Sequence, residues 1–97
     1  MKNIAIIGTG NIAPIHLEGL LAFPERCRIA ALVDIYPEKA EAMKRKYELD
    51  CPVFDSHQKL LDAGLALDIA HICTPPYVHA SIAIDMMDAG VNVVVEK

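Results

Sequence analysis

A basic excess is missing from this chain: nine Lys and Arg stand against thirteen Asp and Glu, for a net charge of −4. A surface that neutralises a phosphate backbone needs clustered cations, so nucleic acid is excluded as a partner. Long apolar runs are missing as well. None approaches the ~18–20 residues that cross a bilayer, and no membrane partner is expected. The N-terminal Met1-Lys2-Asn3-Ile4 reaches Gly8 and Gly10 where a secretory leader would stay apolar. These absences predict a soluble, cytoplasmic protein. Cysteine is sparse. Cys27, Cys51 and Cys73 form no CxxC pair, and any disulfide scheme leaves one over, which favours reduced thiols. His71 and Cys73 stand two apart in an apolar segment, but two ligands do not make a zinc site, so no metal is expected. Repeats, linkers and low-complexity stretches are absent too.

What is present is one small domain's worth of chain: 97 residues, 54% of them hydrophobic. Ile4-Ala5-Ile6-Ile7, Ile29 to Val33, Ile69 to Cys73 and Val91 to Val95 are short apolar runs rich in β-branched residues. They lack polar alternation, as strands covered on both faces do. Val53-Phe54 reads as a short fifth strand. Between the runs lie helical segments. In the first, Ile12, Ile15, Gly19, Leu20 and Phe23 are expected to face inward, with Pro14 tolerated in the first turn. The second opens at Pro37 and closes on Lys44-Arg45-Lys46, a charge order that suits the helix dipole, with Ala40, Met43 and Tyr47 inside. A third runs from about Ser56 to Ala63, with Asp55 or Ser56 as its cap and Gly64 as its stop. The last places Val78, Ile82 and Met86 inward and ends before Gly90. The alternation predicts an α/β fold with a doubly wound parallel sheet of about five strands. A full dinucleotide fold has at least one strand more. Residues 1–97 are therefore expected to be the N-terminal part of such a domain, incomplete and without a substrate domain, and the open final strand is expected to pair with another copy.

The chemically informative stretch is Gly8-Thr9-Gly10-Asn11-Ile12-Ala13, which follows a buried strand and opens a helix. Gly8 permits a tight turn, Gly10 lets backbone approach a pyrophosphate, and Ala13 lets the helix pack against the sheet. Gly8, Gly10, Asn11 and Ile12 are thus cofactor-binding candidates, with the helix start offering amides to an anion. Asp34 ends the second strand, twenty-one residues after Ala13. A carboxylate there accepts hydrogen bonds from adenosine ribose hydroxyls and repels a 2′-phosphate. Ile35 and Tyr36 follow it in place of an arginine, so NAD is favoured over NADP. The opposing interpretation makes the glycines a plain strand–helix turn and Asp34 a helix cap.

With these residues in place, the chain resembles the N-terminal domain of the Gfo/Idh/MocA oxidoreductases, which include glucose–fructose oxidoreductase and inositol dehydrogenase. Three motifs carry the resemblance along the whole chain. The loop extends as G-T-G-N-I-A-P-I-H to His16. Cys73-Thr74-Pro75-Pro76-Tyr77-Val78-His79 is similar to the family's T-P-N/P-x-x-H, with Pro76 where asparagine is frequent. Glu96-Lys97 is similar to the start of E-K-P. The resemblance implies a Rossmann-type dinucleotide-binding domain of a dehydrogenase that moves hydride between a nicotinamide and a sugar, polyol or related hydroxy compound. It implies that Thr74 and Pro75 line the nicotinamide side. It makes Lys97 the catalytic cation beside the substrate hydroxyl, with Glu96 positioning it. His79 is either a cofactor contact or a polar cap on the last helix. His16 reads as a helix-face residue, and His57 and His71 carry no signal. The family's second domain, which supplies the substrate pocket and a further acid/base pair, has no counterpart here. The competing function is a non-catalytic nucleotide-binding or sensing module.

Overall fold

The strand β1, Lys2–Ile7, sits at the centre of the molecule because every residue from Ile4 onward is apolar and side chains alternate between two faces. Ile4 and Ile6 project into one core, Ala5 and Ile7 into the other. A computed structural model describes residues 1–10 and 12–95. Around β1 it places β2 (Cys27–Val33), β3 (Val53–Phe54), β4 (Ile69–Ile72) and β5 (Asn92–Val95) in the order β3-β2-β1-β4-β5. Every pairing is parallel. The chain builds outward from β1 through β2 to β3, then returns to the other side of β1 for β4 and β5. The direction of winding reverses between β1 and β4, which is where open α/β sheets leave a crevice at the strands' carboxyl ends.

The helices α1 (Ala13–Leu21), α2 (Pro37–Lys46), α3 (His57–Asp62) and α4 (His79–Asp88) divide between the two faces. Ala13 and Leu17 of α1 and Ala40 and Met43 of α2 bury with Ile4, Ile6 and Leu32. Leu60 of α3 and Ile82 and Met86 of α4 bury with Ala5, Ile7, Val33 and Ile72. A register shift between Ile4 and Ala5 lets Ile29 pair with Ile4 and Ala31 with Ala5. That bulge puts Ile29 and Leu32 in the first core and Ala31 and Val33 in the second. The element order, the five parallel strands and the doubly wound layers are those expected from the pattern.

The inner stripe of α1 is a correction. Ile15 is 68% exposed and Phe23 53%, and Gly19 is also exposed, whereas Leu17 is wholly buried. Ile12 occupies the cap position, before the first helical residue. The inward stripe therefore takes its phase from Ala13 and falls on Leu17 four residues later, with Ile12 and Leu20 packed at its margins. The helix ends at Leu21, so Phe23 lies beyond it. The other helices follow their expected stripes. Ser56 is the cap of α3 and accepts from the Lys59 amide at 3.2 Å, and Tyr47 packs beyond α2 with its hydroxyl donating to Glu18 of α1 at 2.6 Å.

One polar contact lies between α1 and the sheet. His71 of β4 points to the α1 side, and its Nδ1 is 3.0 Å from Nδ1 of His16, with the rings edge to face. One nitrogen must donate while the other accepts, so the contact requires at least one neutral ring. Burial first, and the charge of His16 second, hold the His71 pKa below the usual histidine value. The unfolded chain then binds more protons than the folded one at mildly acid pH. Stability from this group is complete above about pH 6.5 and is lost as pH falls from there towards the lowered folded value. The melting temperature should drop as pH is lowered from about 7.5 to 5.5, and His71→Gln should flatten that slope. Equal slopes in the two proteins, read by circular dichroism, would exclude the pair as the titrating element.

Candidate functional site

The carboxyl ends of β1, β2 and β4 meet in one place. Gly8 follows β1 with φ +93°, a left-handed conformation that disfavours any residue with a Cβ. A Cβ at Gly8 would also lie 2.8 Å from the carbonyl carbon of Cys73 and the amide nitrogen of Thr74. Main chain thus touches main chain across the switch point, and the loops after β1 and β4 sit side by side. The Gly8 amide donates to the Val33 carbonyl at 2.7 Å, which brings in the end of β2. Gly10 differs: a Cβ there would meet nothing within 4 Å. Its lack of a side chain serves no internal packing and leaves space in front of the loop.

Asp34 stands just past β2, facing that loop. Its Oδ2 accepts from the Thr9 amide at 2.9 Å and the Thr9 hydroxyl at 2.6 Å, and its Oδ1 accepts from the Tyr36 amide at 2.8 Å. The start of α1 has no side-chain cap, and Pro14 lacks a donor. The amides of Ala13 and Ile15 bond back to Gly10 and Ile12. The amides of Gly8, Thr9, Ala13 and Ile15 thus all have partners within the chain.

These groups surround a cavity of about 640 Å³, well inside the size range of small-molecule sites. Gly8, Gly10, Ile12, Asp34, Thr74 and Pro75 all line it. The hydroxyl of Thr74 is buried there without a hydrogen-bond partner, an arrangement that costs free energy unless something else completes it. Tyr36 and Tyr77 line the cavity too and are exposed residues, 53% and 87% accessible. His79 is not among the lining residues. Its Nε2 bonds the Thr74 carbonyl, fixing the turn between β4 and α4. Of the other expected site residues, Asn11, Glu96 and Lys97 lie outside the described residues. No group of three metal-ligating side chains occurs among the described residues, and no helix among them is long and apolar enough to cross a membrane.

Three contributors escaped the sequence reading. Thr9 occupies the variable position between the glycines, and its bond to Asp34 spans 25 residues. Lys39 lines the cavity with its ammonium 5.0 Å from the Tyr36 ring centre. It stands three residues beyond Tyr36, where a basic residue in the opening turn of a helix runs against the dipole; that mismatch was the available signal. His57, on the cavity wall, bonds Asp85 of α4 at 2.7 Å and ties α3 to α4. No local pattern announces that partner.

A family model described as an oxidoreductase family with an NAD-binding Rossmann fold matches residues 2–97. Among solved structures, the chain superposes on the WlbA dehydrogenase of Bordetella pertussis, in complex with NADH and UDP-GlcNAcA, with TM-score 0.89 and 27% identity. The match covers 99% of this chain and 29% of that one. A putative myo-inositol dehydrogenase of Sinorhizobium meliloti 1021 gives TM-score 0.85 and 27% identity over 100% of this chain and 28% of its own. UDP-N-acetylglucosamine 3-dehydrogenase GnnA of Acidithiobacillus ferrooxidans gives 0.81 and 26%, over 99% and 29%. The chain thus spans less than a third of the length of the solved structures it matches. No curated protein matches it. The fold is a Rossmann fold, and the family's domain binds NAD, in agreement with the expected cofactor.

The two glycines should separate stability from ligand space. Gly8→Ala combines a left-handed backbone with overlap against immovable main chain and should cost more than about 2 kcal/mol. Gly10→Ala should change stability by less than about 0.5 kcal/mol. Urea unfolding of both variants reads the difference, and equal effects would show that the β1–β4 contact does not constrain Gly8.

Proposed function

We propose, from the premise that this chain belongs to the Gfo/Idh/MocA oxidoreductase family, that it is the NAD-holding part of a dehydrogenase for a sugar, polyol or related hydroxy compound. One observation carries the reading: a single cavity at the switch point gathers the glycine loop, Asp34 and Thr74, whose hydroxyl is buried without a partner. These residues fit the cofactor. Asp34 is an acceptor suited to a ribose hydroxyl, Gly10 leaves room for a pyrophosphate, and Thr74 has a buried hydroxyl in need of a polar partner. Tyr36 and Tyr77 offer flat apolar surface to rings.

NAD, when bound, supplies the acceptor for hydride. The chain's own part is to orient and to neutralise. Ile12 and Asn11 complete the phosphate loop in this reading, Pro75 shapes the nicotinamide end, and His79 holds the Thr74 carbonyl so that the turn keeps its form. Lys97 is the catalytic residue in this reading, with Glu96 to position it: its ammonium would stabilise the alkoxide that develops on the substrate, or the side chain would help relay the hydroxyl proton. Sugar-type substrates follow from relatives named as a UDP-N-acetylglucosamine 3-dehydrogenase and a putative myo-inositol dehydrogenase. The 97-residue chain by itself is inactive in this reading because the family's substrate pocket lies in a second domain. The location is cytoplasmic, and the chain self-associates through β5, whose Val94 and Val95 are each 42% exposed at the end of the sheet order.

Calorimetric titration of the chain should show NAD bound more tightly than NADP. Asp34→Ala should weaken NAD about tenfold, the equivalent of ~1.4 kcal/mol, and narrow the preference. A folded chain that binds neither dinucleotide would overturn the reading. Light scattering on the same samples should show dimers or larger species, and a monomer at high concentration would remove the self-association.

A further inference from the structure

Asp34 is already heavily engaged before any ligand arrives. A carboxylate oxygen has two lone-pair sites. Oδ2 fills both, with the Thr9 amide at 2.9 Å and the Thr9 hydroxyl at 2.6 Å. Oδ1 accepts one bond, from the Tyr36 amide at 2.8 Å. One site remains, on Oδ1. The usual picture of an acidic residue gripping both hydroxyls of a ribose therefore does not fit this carboxylate as it stands.

The donors come from both sides of the cavity. Two belong to the loop after β1, and one belongs to the loop after β2. The hydroxyl contact is short and charge-assisted, which places it among the stronger hydrogen bonds. Thr9 is β-branched, so its χ1 has little freedom once the hydroxyl is engaged. Carboxylate and loop then hold each other in one orientation.

We propose that Thr9 is a positioning residue that determines dinucleotide specificity: its hydroxyl and amide pin Asp34 so that the carboxylate offers a single Oδ1 acceptor to the ribose. The inference rests on the cofactor reading above and deepens it. A pinned carboxylate cannot swing aside for a 2′-phosphate, so its repulsion is felt in full. It also accepts a ribose hydroxyl without a prior loss of side-chain freedom. Removing the Thr9 hydroxyl opens a lone pair on Oδ2 and lets the carboxylate turn. NAD then binds less tightly, and NADP meets less repulsion.

The test compares the unmodified chain with Thr9→Val, Thr9→Ala and Thr9→Ser in calorimetric titrations with NAD and NADP, each variant first shown to be folded by circular dichroism. Thr9→Val should weaken NAD about 3- to 10-fold, the range of one net hydrogen bond, and should shrink the NAD-to-NADP preference. Thr9→Ala, without the branched bulk, should do the same if Thr9→Val does not fold. Thr9→Ser, which restores the hydroxyl, should recover most of the preference. In the cofactor-free chain, amide hydrogen exchange at Tyr36 should speed up in Thr9→Val, because Oδ2 keeps only the residue 9 amide and the carboxylate that the Tyr36 amide donates to is held less firmly. An unchanged preference in Thr9→Val or Thr9→Ala, with the unmodified chain binding NAD, overturns this inference alone. Tighter NAD binding in those variants overturns it too, since the hydroxyl would then compete with the ribose. If the unmodified chain binds no NAD, the cofactor reading and this inference fall together, even where Tyr36 exchange still responds to Thr9.

Discussion

The contact on which the site depends is the one between Gly8 and the backbone of Cys73 and Thr74. No side chain fits there. Because β1 pairs in parallel with both β2 and β4, its end is flanked by two other carboxyl ends, and the chain leaving it must turn at once. Gly8 makes that turn with a positive φ and lets the loop after β4 close against it. Thr74 and Asp34 line the same cavity through this closeness. A bulkier residue would part the loops and separate the groups. The site is therefore assembled where main-chain ends meet.

Asp34 shows how structural and functional demands share one group. Its three hydrogen bonds tie the loop after β1 to the loop after β2, so it contributes to the fold of the site whether or not a ligand is present. In the proposed reading, the charge of this same carboxylate is what discriminates at the 2′ position. A neutral acceptor could take the amides but would repel nothing. Local consistency and recognition point to the same side chain, which limits what substitution there can achieve without loosening the loop as well.

Much of this was legible because it is local. The apolar runs at Ile4, Ile29 and Ile69 lack polar alternation, and both faces of the sheet proved to be covered. Pro37, Ser56 and Gly64 marked ends through backbone chemistry that needs no tertiary context. The glycine loop and Asp34 could be read together since their spacing follows from one β-α-β unit. The α1 stripe failed for a reason of phase: with a 100° step per residue, starting from Ile12 instead of Ala13 rotates the inward face away from Leu17 and towards Ile15. Long-range polar partners were not legible. Nothing near His57 indicates Asp85, and nothing near His71 indicates His16. Such pairs are set by which helix crosses which strand.

The two faces of the sheet are covered unequally, and that accounts for several exposed apolar residues at once. On the α3/α4 side, α4 packs on both β4 and β5, so Ala70 and Ile72 are buried and Val93 is packed against them. On the other side α1 and α2 pack on β2. Beyond β1, Ile69 and Cys73 still join this core, and His71 between them meets the His16 ring. Val94, which pairs with His71 in register, stays 42% exposed, and Ile15 on α1 is open to solvent. A histidine is tolerated in β4 because it is only half-buried there. In a fully enclosed sheet its ring nitrogens would each need a buried partner. The polar pair thus lies at the margin of the first core, next to the exposed Val94 of β5.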